Sequence, residues 1–482
     1  MRSVTEMEAQ SFAVKRAQVE FHNFASLGEP ERAMRVYAEE NVRRGQIIRN
    51  HLAFLGELSP FLEIGSNVGH TSYMLANEFG AEGFALDLSA DSLRYGVSLQ
   101  DAWGLSRAPV RVAGDAANLP FADGSLRMVC AFQMLSQFMN IESVFLEVKR
   151  VLAPGGVFLF AEEPLKRLLT LGLYRCPYYE TMKPWERKMY DWGLLGYLVR
   201  DVIGAHQEES FGIRQNHSMG LKEWHALISK HFVARECEVF VRARGWGQTF
   251  VRDVAVRLDP YRSTWRAARL LGGTLAAVVK KEGDAPAAFP GMDSFERFLR
   301  CPDCHGALAR DAADSLVCAG CGYRSPNQGG VFNLLPSAEK AELYPGDRAD
   351  IIDFSLPSHS ERLIDGWHDI EGPFGNKYRW IACEASARLS RVKPGPQRLR
   401  VRGHAHETPF ELRQPVTIEI SANGETVGKW TPGRPGLFVL EADLPDAPEY
   451  RIDIAAAPLW RVPNDARAFT VNLSMIRLVP RE

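Results

Sequence analysis

From residue 61 the chain alternates between short apolar runs and stretches with helical spacing. Apolar runs lie at 61–64 (FLEI), 83–88 (GFALDL), 110–115 (VRVAGD), 128–132 (MVCAF) and 157–161 (VFLFA). Between them, 71–79, 90–103 and 141–152 place apolar residues on one helical face, and APGG at 153–156 is a stop signal. Continuous apolar strands separated by helices predict a parallel sheet with helices on both faces. Upstream, Val36, Ile47, Ile48, Leu52 and Leu55 recur at helical intervals among charges, and Pro60 ends the pattern. Residues 1–58 are therefore expected to be helical, either capping a site or, the preferred reading, packing beside the next domain. From about 349 the period changes to two. Leu399/Val401, Ile418/Ile420, Phe438/Leu440, Ile452/Ile454 and Val471/Leu473 alternate with polar residues, and Asn423-Gly424 marks a hairpin. That pattern predicts a C-terminal all-β sandwich of jelly-roll type.

The acids of the α/β region are not scattered. Glu63, Asp87, Asp115, Gln133 and Glu162 all fall at or near the carboxyl ends of predicted strands, where open α/β sheets collect ligands. The sharpest feature is 61–72, FLEIGSNVGHTS, an apolar strand turning into a helix through two glycines four apart. Gly65 and Gly69 lack a Cβ and let the backbone approach a ligand, while Asn67 between them tolerates a left-handed conformation. GSNVGH does not match G-x-G-x-x-G, which disfavours a dinucleotide.

Taken in order, Glu63-Ile64-Gly65 with Gly69, Asp87 after the second run, GDAANLPF at 114–121 and RVLAPGG at 150–156 resemble the Rossmann-like S-adenosylmethionine-dependent methyltransferases, over roughly residues 40–258. The resemblance implies S-adenosyl-L-methionine as cofactor. It assigns Asp87, with Leu88 beside it, to the ribose diol, Asp115 and the Ala116 backbone to adenine, and Gly65, Asn67 and Gly69 to the methionine part. Glu63 would supply negative charge near the ammonium and sulfonium, and Gln133 would lie at the same end of the sheet. One departure is visible: the family usually has a third glycine where this chain has Asn67. In this family, inserts after the fifth strand commonly build the acceptor pocket, which points to the aromatic-rich segment 164–218. Residues 220–231 read as a helix, and 232–243 and 249–258 as two strands completing the family's antiparallel edge. Methyl transfer mainly requires alignment of donor and acceptor, but an oxygen acceptor benefits from a base. His217 is the first candidate, and Glu162 and Glu163 follow; the plainer readings are a solvent-facing histidine and surface carboxylates.

Cys301-Pro302-Asp303-Cys304 and Cys318-Ala319-Gly320-Cys321 form two CxxC knuckles separated by thirteen residues, the spacing of a tetrahedral four-thiolate zinc site. Four protein ligands leave no open position, so a structural Zn2+ is expected, with Gly306 and Gly322 relieving the backbone after each knuckle. The segment 300–336 resembles the small zinc-ribbon proteins that partner tRNA and protein methyltransferases. Residues 366–389 and 458–478 resemble β-sandwich modules of bacterial glycan-assembly enzymes. There Trp367, Trp380 and Trp460 are read as core in preference to sugar-stacking faces.

Composition narrows the partners. Lys plus Arg number 57 and Asp plus Glu 59, so no basic excess signals nucleic acid. The first twenty residues lack the apolar core of a signal peptide, and the longest apolar run, 270–279, is too short to span a bilayer. That run is read as a helix packed on the α/β domain, the alternative being one lying on a membrane surface. Scattered Cys130, Cys176, Cys237 and Cys383 suit a reducing cytoplasm. The expected domains are 1–58 helical, 59–258 α/β with the insert 164–218, 259–292 helical connector, 293–337 zinc ribbon and 349–482 β-sandwich. The expected activity is methyl transfer to an oxygen of a sugar or small cell-envelope precursor. Alternatives are a tRNA or protein acceptor, a quinone-like or natural-product small molecule, and a non-catalytic glycan- or partner-binding scaffold. The oligomeric state is left open.

Overall fold

The computed structural model describes Lys15, Val19 and residues 30–165, 219–244, 251–257 and 274–481, apart from 139, 285, 287, 345, 347, 355–356, 373–376, 434 and 463–464. The chain divides into two compact units, one running to Leu343 and the other covering Tyr344–Glu482.

In the first unit, α1 (Pro30–Asn50) and α2 (Leu52–Leu55) precede the expected alternation of β1 (Phe61–Ile64), α3 (His70–Glu78), β2 (Gly83–Asp87), α4 (Ala90–Ala102), β3 (Val110–Ala113), β4 (Leu126–Phe132), α5 (Ile141–Val151) and β5 (Leu152–Pro164). After the insert come α6 (Leu221–His231), β6 (Ala234–Arg244), β7 (Val251–Arg257) and β8 (Thr274–Lys280). Side-chain alternation sorts the strands onto two cores. Phe61, Met128, Cys130, Val157 and Leu159 pack with Ile47, Ile48 and Leu55 of α1 and α2 and with Met74 and Leu75 of α3. Leu62, Ile64, Val129, Ala131, Phe158 and Phe160 face the opposite side, with Val144, Phe145 and Val148 of α5 and Trp224 of α6. Both faces are thus covered, which is why these strands read as unbroken apolar runs.

Two features depart from expectation. The apolar run at 270–279 is not a helix where it is described. From Thr274 it is β8, buried over Leu275–Val279 and paired antiparallel between β5 and β6. A five-residue apolar run with β-branched members fits either element by periodicity, and the open edge of β5 decides it. No part of β8 is available to lie on a membrane. Among the described residues no helix is long and apolar enough to cross one.

The segment expected as a zinc ribbon is also not a separate bead. After an antiparallel triplet of β9 (Ala309–Arg310), β10 (Ser315–Val317) and β11 (Arg324–Pro326), the strand β12 (Val331–Asn333) pairs in parallel with β3. The main sheet therefore runs β12-β3-β2-β1-β4-β5-β8-β6-β7. Phe298, Leu299, Cys301, Leu316 and Cys318 share one apolar cluster with Phe84, Leu119 and Phe121. A short helix, α7 (Ser337–Leu343), closes the unit.

The second unit is all-β as expected, with its own core of Ile381, Leu399, Val401, Ile418, Ile420, Ile452 and Ile454 among others. Asn423 (φ 52°) and Gly424 (φ 88°) make the two-residue hairpin, with both central residues left-handed as a type I′ turn requires. The strands do not, however, form two separate sheets. They make one nine-stranded antiparallel sheet, because β13 (Tyr378–Ser390) pairs with β14 (Glu449–Ala457) through its second half and with β15 (Val471–Pro480) near its start. A thirteen-residue strand is long enough to serve different neighbours along its length. Trp380 and Trp460 are buried against Phe469, and Trp367 donates Nε1–H to the Ser386 carbonyl at 2.8 Å.

Candidate cofactor site and metal centre

The turn after β1 has left-handed residues at alternate positions: Gly65 (φ 70°), Asn67 (φ 52°) and Gly69 (φ 92°). Asn67 thus adopts the conformation that a third glycine would adopt freely. At Gly65 the requirement is steric as well, since a Cβ there would sit 2.5 Å from Met134 Cγ in the loop after β4. Asp87 holds the turn from the end of β2. Its Oδ2 accepts from the Asn67 amide and its Oδ1 from the Ser89 amide, both at 2.8 Å. Each carboxylate oxygen keeps a second acceptor direction for a ligand hydroxyl. Leu88 lies half-buried beside it. At the end of β3, Asp115 Oδ1 accepts from the Ala117 amide at 2.8 Å, and Ala116 is buried with Leu119. Asp115 Oδ2 meets Lys15 Nζ at 2.8 Å, and the same ammonium reaches Glu339 Oε1 at 2.7 Å.

The carboxylates at the other strand ends are engaged differently. Glu63 is buried, with Oε2 accepting from the Ser72 amide (2.7 Å) and hydroxyl (2.5 Å) at the start of α3. Burial raises its pKa against those hydrogen bonds and the Arg44 charge. It braces the turn rather than presenting a free carboxylate. Glu163, expected as a possible base, is fully buried and accepts from the amides of Met134 (2.9 Å), Leu135 (2.8 Å) and Ser136 (3.0 Å). It caps the loop after β4, and burial raises its pKa against those three amide donors. Glu162 (φ 65°) is ion-paired with Arg44 at 3.0 Å, with Arg43 at 3.7 Å. Gln133 (φ 54°) donates its amide to the Ala161 carbonyl at 2.9 Å, which ties the ends of β4 and β5 together. His217 and the aromatic residues of the insert lie outside the described residues. The insert's two ends meet in the bridge between Leu165 and Met219, directly after β5.

Three polar residues were missed from sequence. Arg44 is buried on α1, donates to Thr71 Oγ1 at 3.1 Å and lies over the Phe132 ring. Asn41, one turn earlier, donates Nδ2–H to the His70 carbonyl at 3.0 Å. Its Oδ1, like Ser66 Oγ in the turn itself, is buried with no partner among the described residues. Asn41 and Arg44 stand at i, i+3 on the stripe that continues to Ile48, so polar letters on an apolar face were the available signal. Lys15 had no comparable signal. Unpartnered acceptors next to the Gly65–Gly69 turn suit a ligand carrying an ammonium group.

The four cysteine sulfurs lie within 4.8 Å of one another, with 3.5 Å between Cys301 and Cys321 and 3.4 Å between Cys304 and Cys318. Sulfurs about 2.3 Å from a tetrahedral zinc stand about 3.8 Å apart, so the set fits that ion. The knuckles are built alike. The Cys301 amide donates to the Gly306 carbonyl and the Cys318 amide to Tyr323, while His305 and Gly322 donate back to Cys301 and Cys318. The left-handed residue is the one after each second cysteine, His305 (φ 60°) and Gly322 (φ 77°). Gly306 is not left-handed, and a Cβ there would stand in ordinary contact with Cys304 Sγ at 3.4 Å.

Residues 62–160 match the family model described as Methyltransferase domain. The α/β region is a methyltransferase domain. Relatives include norajmaline N-methyltransferase of Rauvolfia serpentina, 28% identical over 27% of this chain and 41% of that protein. Chloroplastic tocopherol O-methyltransferase of Arabidopsis thaliana is 27% identical over 28% of this chain and 37% of its own length. Demethylmenaquinone methyltransferase of Thermobifida fusca is 33% identical over 25% and 52%. The chain thus spans about half or less of each of these relatives.

Proposed function

We propose that the chain transfers a methyl group from S-adenosylmethionine to a small-molecule acceptor, with the donor lying across the carboxyl ends of β1–β4. The observation that carries this reading is the Asp87 carboxylate, anchored to the Gly65–Gly69 turn through Asn67 and aligned by Ser89. In that position it accepts from both hydroxyls of a ribose, while Asp115 accepts from an adenine amino group. Asn41 Oδ1 and Ser66 Oγ offer acceptors to the ammonium. The bound donor supplies an electrophilic methyl on a sulfonium. The protein's part is alignment and exclusion of water, and for an oxygen acceptor removal of its proton. With Glu163 bound by three amides and Glu162 paired to arginines, we place that proton acceptor on the insert, with His217 the first residue to test.

Two acceptor classes compete. A sugar hydroxyl rests on the likeness of the C-terminal unit to glycan-assembly modules, a reading weakened by the burial of Trp380 and Trp460. A ring-bearing, largely apolar small molecule is favoured by what the relatives' names specify: an alkaloid, tocopherol and a menaquinone precursor. We favour the second. The four-cysteine cluster is read as a structural zinc site. Titration calorimetry with S-adenosylhomocysteine tests the class: binding should weaken on the order of 100-fold in Asp87→Ala. Absence of binding by the native chain, or equal affinity in the variant, refutes it. Labelled methyl donor offered with polyprenylated quinols, phenols, sterols, sugar precursors, tRNA and protein then separates the acceptors.

A further inference from the structure

The Lys15 ammonium bridges two carboxylates from distant parts of the chain, and the route leads back to a metal knuckle. Asp303 stands inside the first CxxC. Its Oδ1 accepts from the Ser337 amide at 2.8 Å and its Oδ2 from the Ser337 hydroxyl at 2.5 Å, which fixes the first turn of α7. Lys340 on the same helix lies over the Tyr323 ring, 4.4 Å from its centre, and Tyr323 follows the second knuckle. Tyr323 in turn donates its hydroxyl to the Asn333 and Leu335 carbonyls. So α7 is fastened to both knuckles. One turn of helix then carries Glu339 to Lys15, and Lys15 to Asp115.

We propose that Asp303, Glu339 and Lys15 form a positioning relay that sets the Asp115 carboxylate for the adenine of the cofactor, so that an ordered ribbon is part of cofactor recognition. The proposal rests on the assignment of Asp115 to adenine. Lys15 occupies one direction on Oδ2, and the Ala117 amide one on Oδ1, so the carboxylate plane is held at both oxygens. Its two remaining acceptor directions, one on each oxygen, are thereby fixed without being consumed. All three groups are largely withdrawn from water, with side-chain exposures of 18% for Lys15, 9% for Asp115 and 24% for Glu339, so the pairs escape most solvent screening. Burial opposes the ammonium, yet the two carboxylates outweigh it and hold the Lys15 pKa above its ordinary value. The backbone supports the same registry: the Leu334 amide donates to the Ala113 carbonyl at 2.7 Å, two residues before Asp115. Further along that loop, the Ala122 amide donates to the Phe298 carbonyl at 2.8 Å and the Arg300 amide to Pro120 at 3.1 Å. Removal of Lys15 would leave Asp115 and Glu339 with no cation between them among the described residues.

The test compares S-adenosylhomocysteine with S-inosylhomocysteine, which lacks the amino donor, by calorimetry on the full chain with zinc content and melting recorded. The native protein should prefer the adenosyl ligand. Lys15→Met should weaken the adenosyl ligand about tenfold and the inosyl ligand much less, so the preference narrows, while Lys15→Arg should retain it. Glu339→Gln and Asp303→Asn, with zinc still bound, should each weaken the adenosyl ligand about threefold in the same selective way. Equal weakening of both ligands, or native affinity in Lys15→Met and Glu339→Gln together, overturns the relay. If Lys15→Met does not fold, the Glu339 and Asp303 variants decide. Should Asp115→Ala itself bind the adenosyl ligand as the native chain does, the adenine assignment fails and the relay with it.

Discussion

Two β modules follow the methyltransferase sheet, and they solve the problem of stability in opposite ways. The ribbon has three short strands of two or three residues and a fourth given away to β3. Its apolar residues, Phe298, Leu299, Leu316 and the buried cysteines, belong to the same cluster as Phe84 and Phe121. Segments this small cannot bury enough surface alone and depend on a metal, a host, or both. The C-terminal unit has strands of up to thirteen residues and a core made from its own chain. One module is therefore an organ of the methyltransferase domain, whereas the other is a domain in its own right. The practical difference is where damage should spread.

The strongest way to break that comparison is to disrupt the proposed zinc site. Structural zinc contributes about 10–16 kcal/mol to folding of finger peptides, so if the four cysteines hold zinc as proposed, Cys301→Ser or a strong chelator should unfold this segment. Because β12 and Phe298 leave with it, the melting transition of the first unit should fall, while that of the second should not move. A calorimetric scan that shows both transitions shifting together, or neither, refutes the division. A smaller effect should follow from the shared apolar seam. Phe298 is buried, edge-on to Phe84 with ring centres 5.7 Å apart. Phe298→Ala should destabilise the first unit by about 3–5 kcal/mol, a core-sized loss caused from within the ribbon's own segment. Leu440→Ala, in the core of the other unit, should cost about 2–5 kcal/mol there and leave the first transition in place. Urea unfolding followed by fluorescence and by circular dichroism reads both.

The same comparison explains what could be read from the letters. The strands β1–β5, the turn at Gly65–Gly69, Asp87 and the four cysteines are written in local spacing, and local spacing survives in one dimension. The Asn423-Gly424 hairpin is legible for the same reason. What stayed hidden is decided by distant partners. The run ending in β8 carries no periodicity that separates strand from helix, and its place between β5 and β6 comes from an open edge far back in the chain. β12 is only three residues long and declares itself only by lying beside β3. Glu163 looked like a reactive acid because it sits at a strand end, but the Met134–Ser136 amides that claim it come from the preceding strand's loop. Lys15 pairs across 100 residues with Asp115 and across 324 with Glu339, and no pattern of neighbours announces such a contact. In the second unit the alternation holds while the strands join into one sheet, since alternation fixes which face is inward and says nothing of how long strands share partners.

The smallest expected effect concerns the position that departs from the family's glycine pattern. Asn67 already occupies the left-handed region at φ 52°, and it is its backbone amide, not its side chain, that reaches Asp87. Asn67→Gly removes the modest strain of a left-handed Asn but makes the unfolded chain looser, and the two changes oppose each other at about 0.5–1 kcal/mol each. Net stability should therefore move by less than about 1 kcal/mol, with S-adenosylhomocysteine affinity within about threefold of native. Asn67→Val should behave otherwise, because a β-branched residue resists φ near +52° and would pull the amide away from Asp87, carrying both quantities down together. If glycine at 67 proved as damaging as valine, the side chain and not the backbone would be what the turn requires, and the role assigned to the Asn67 amide would have to be given up.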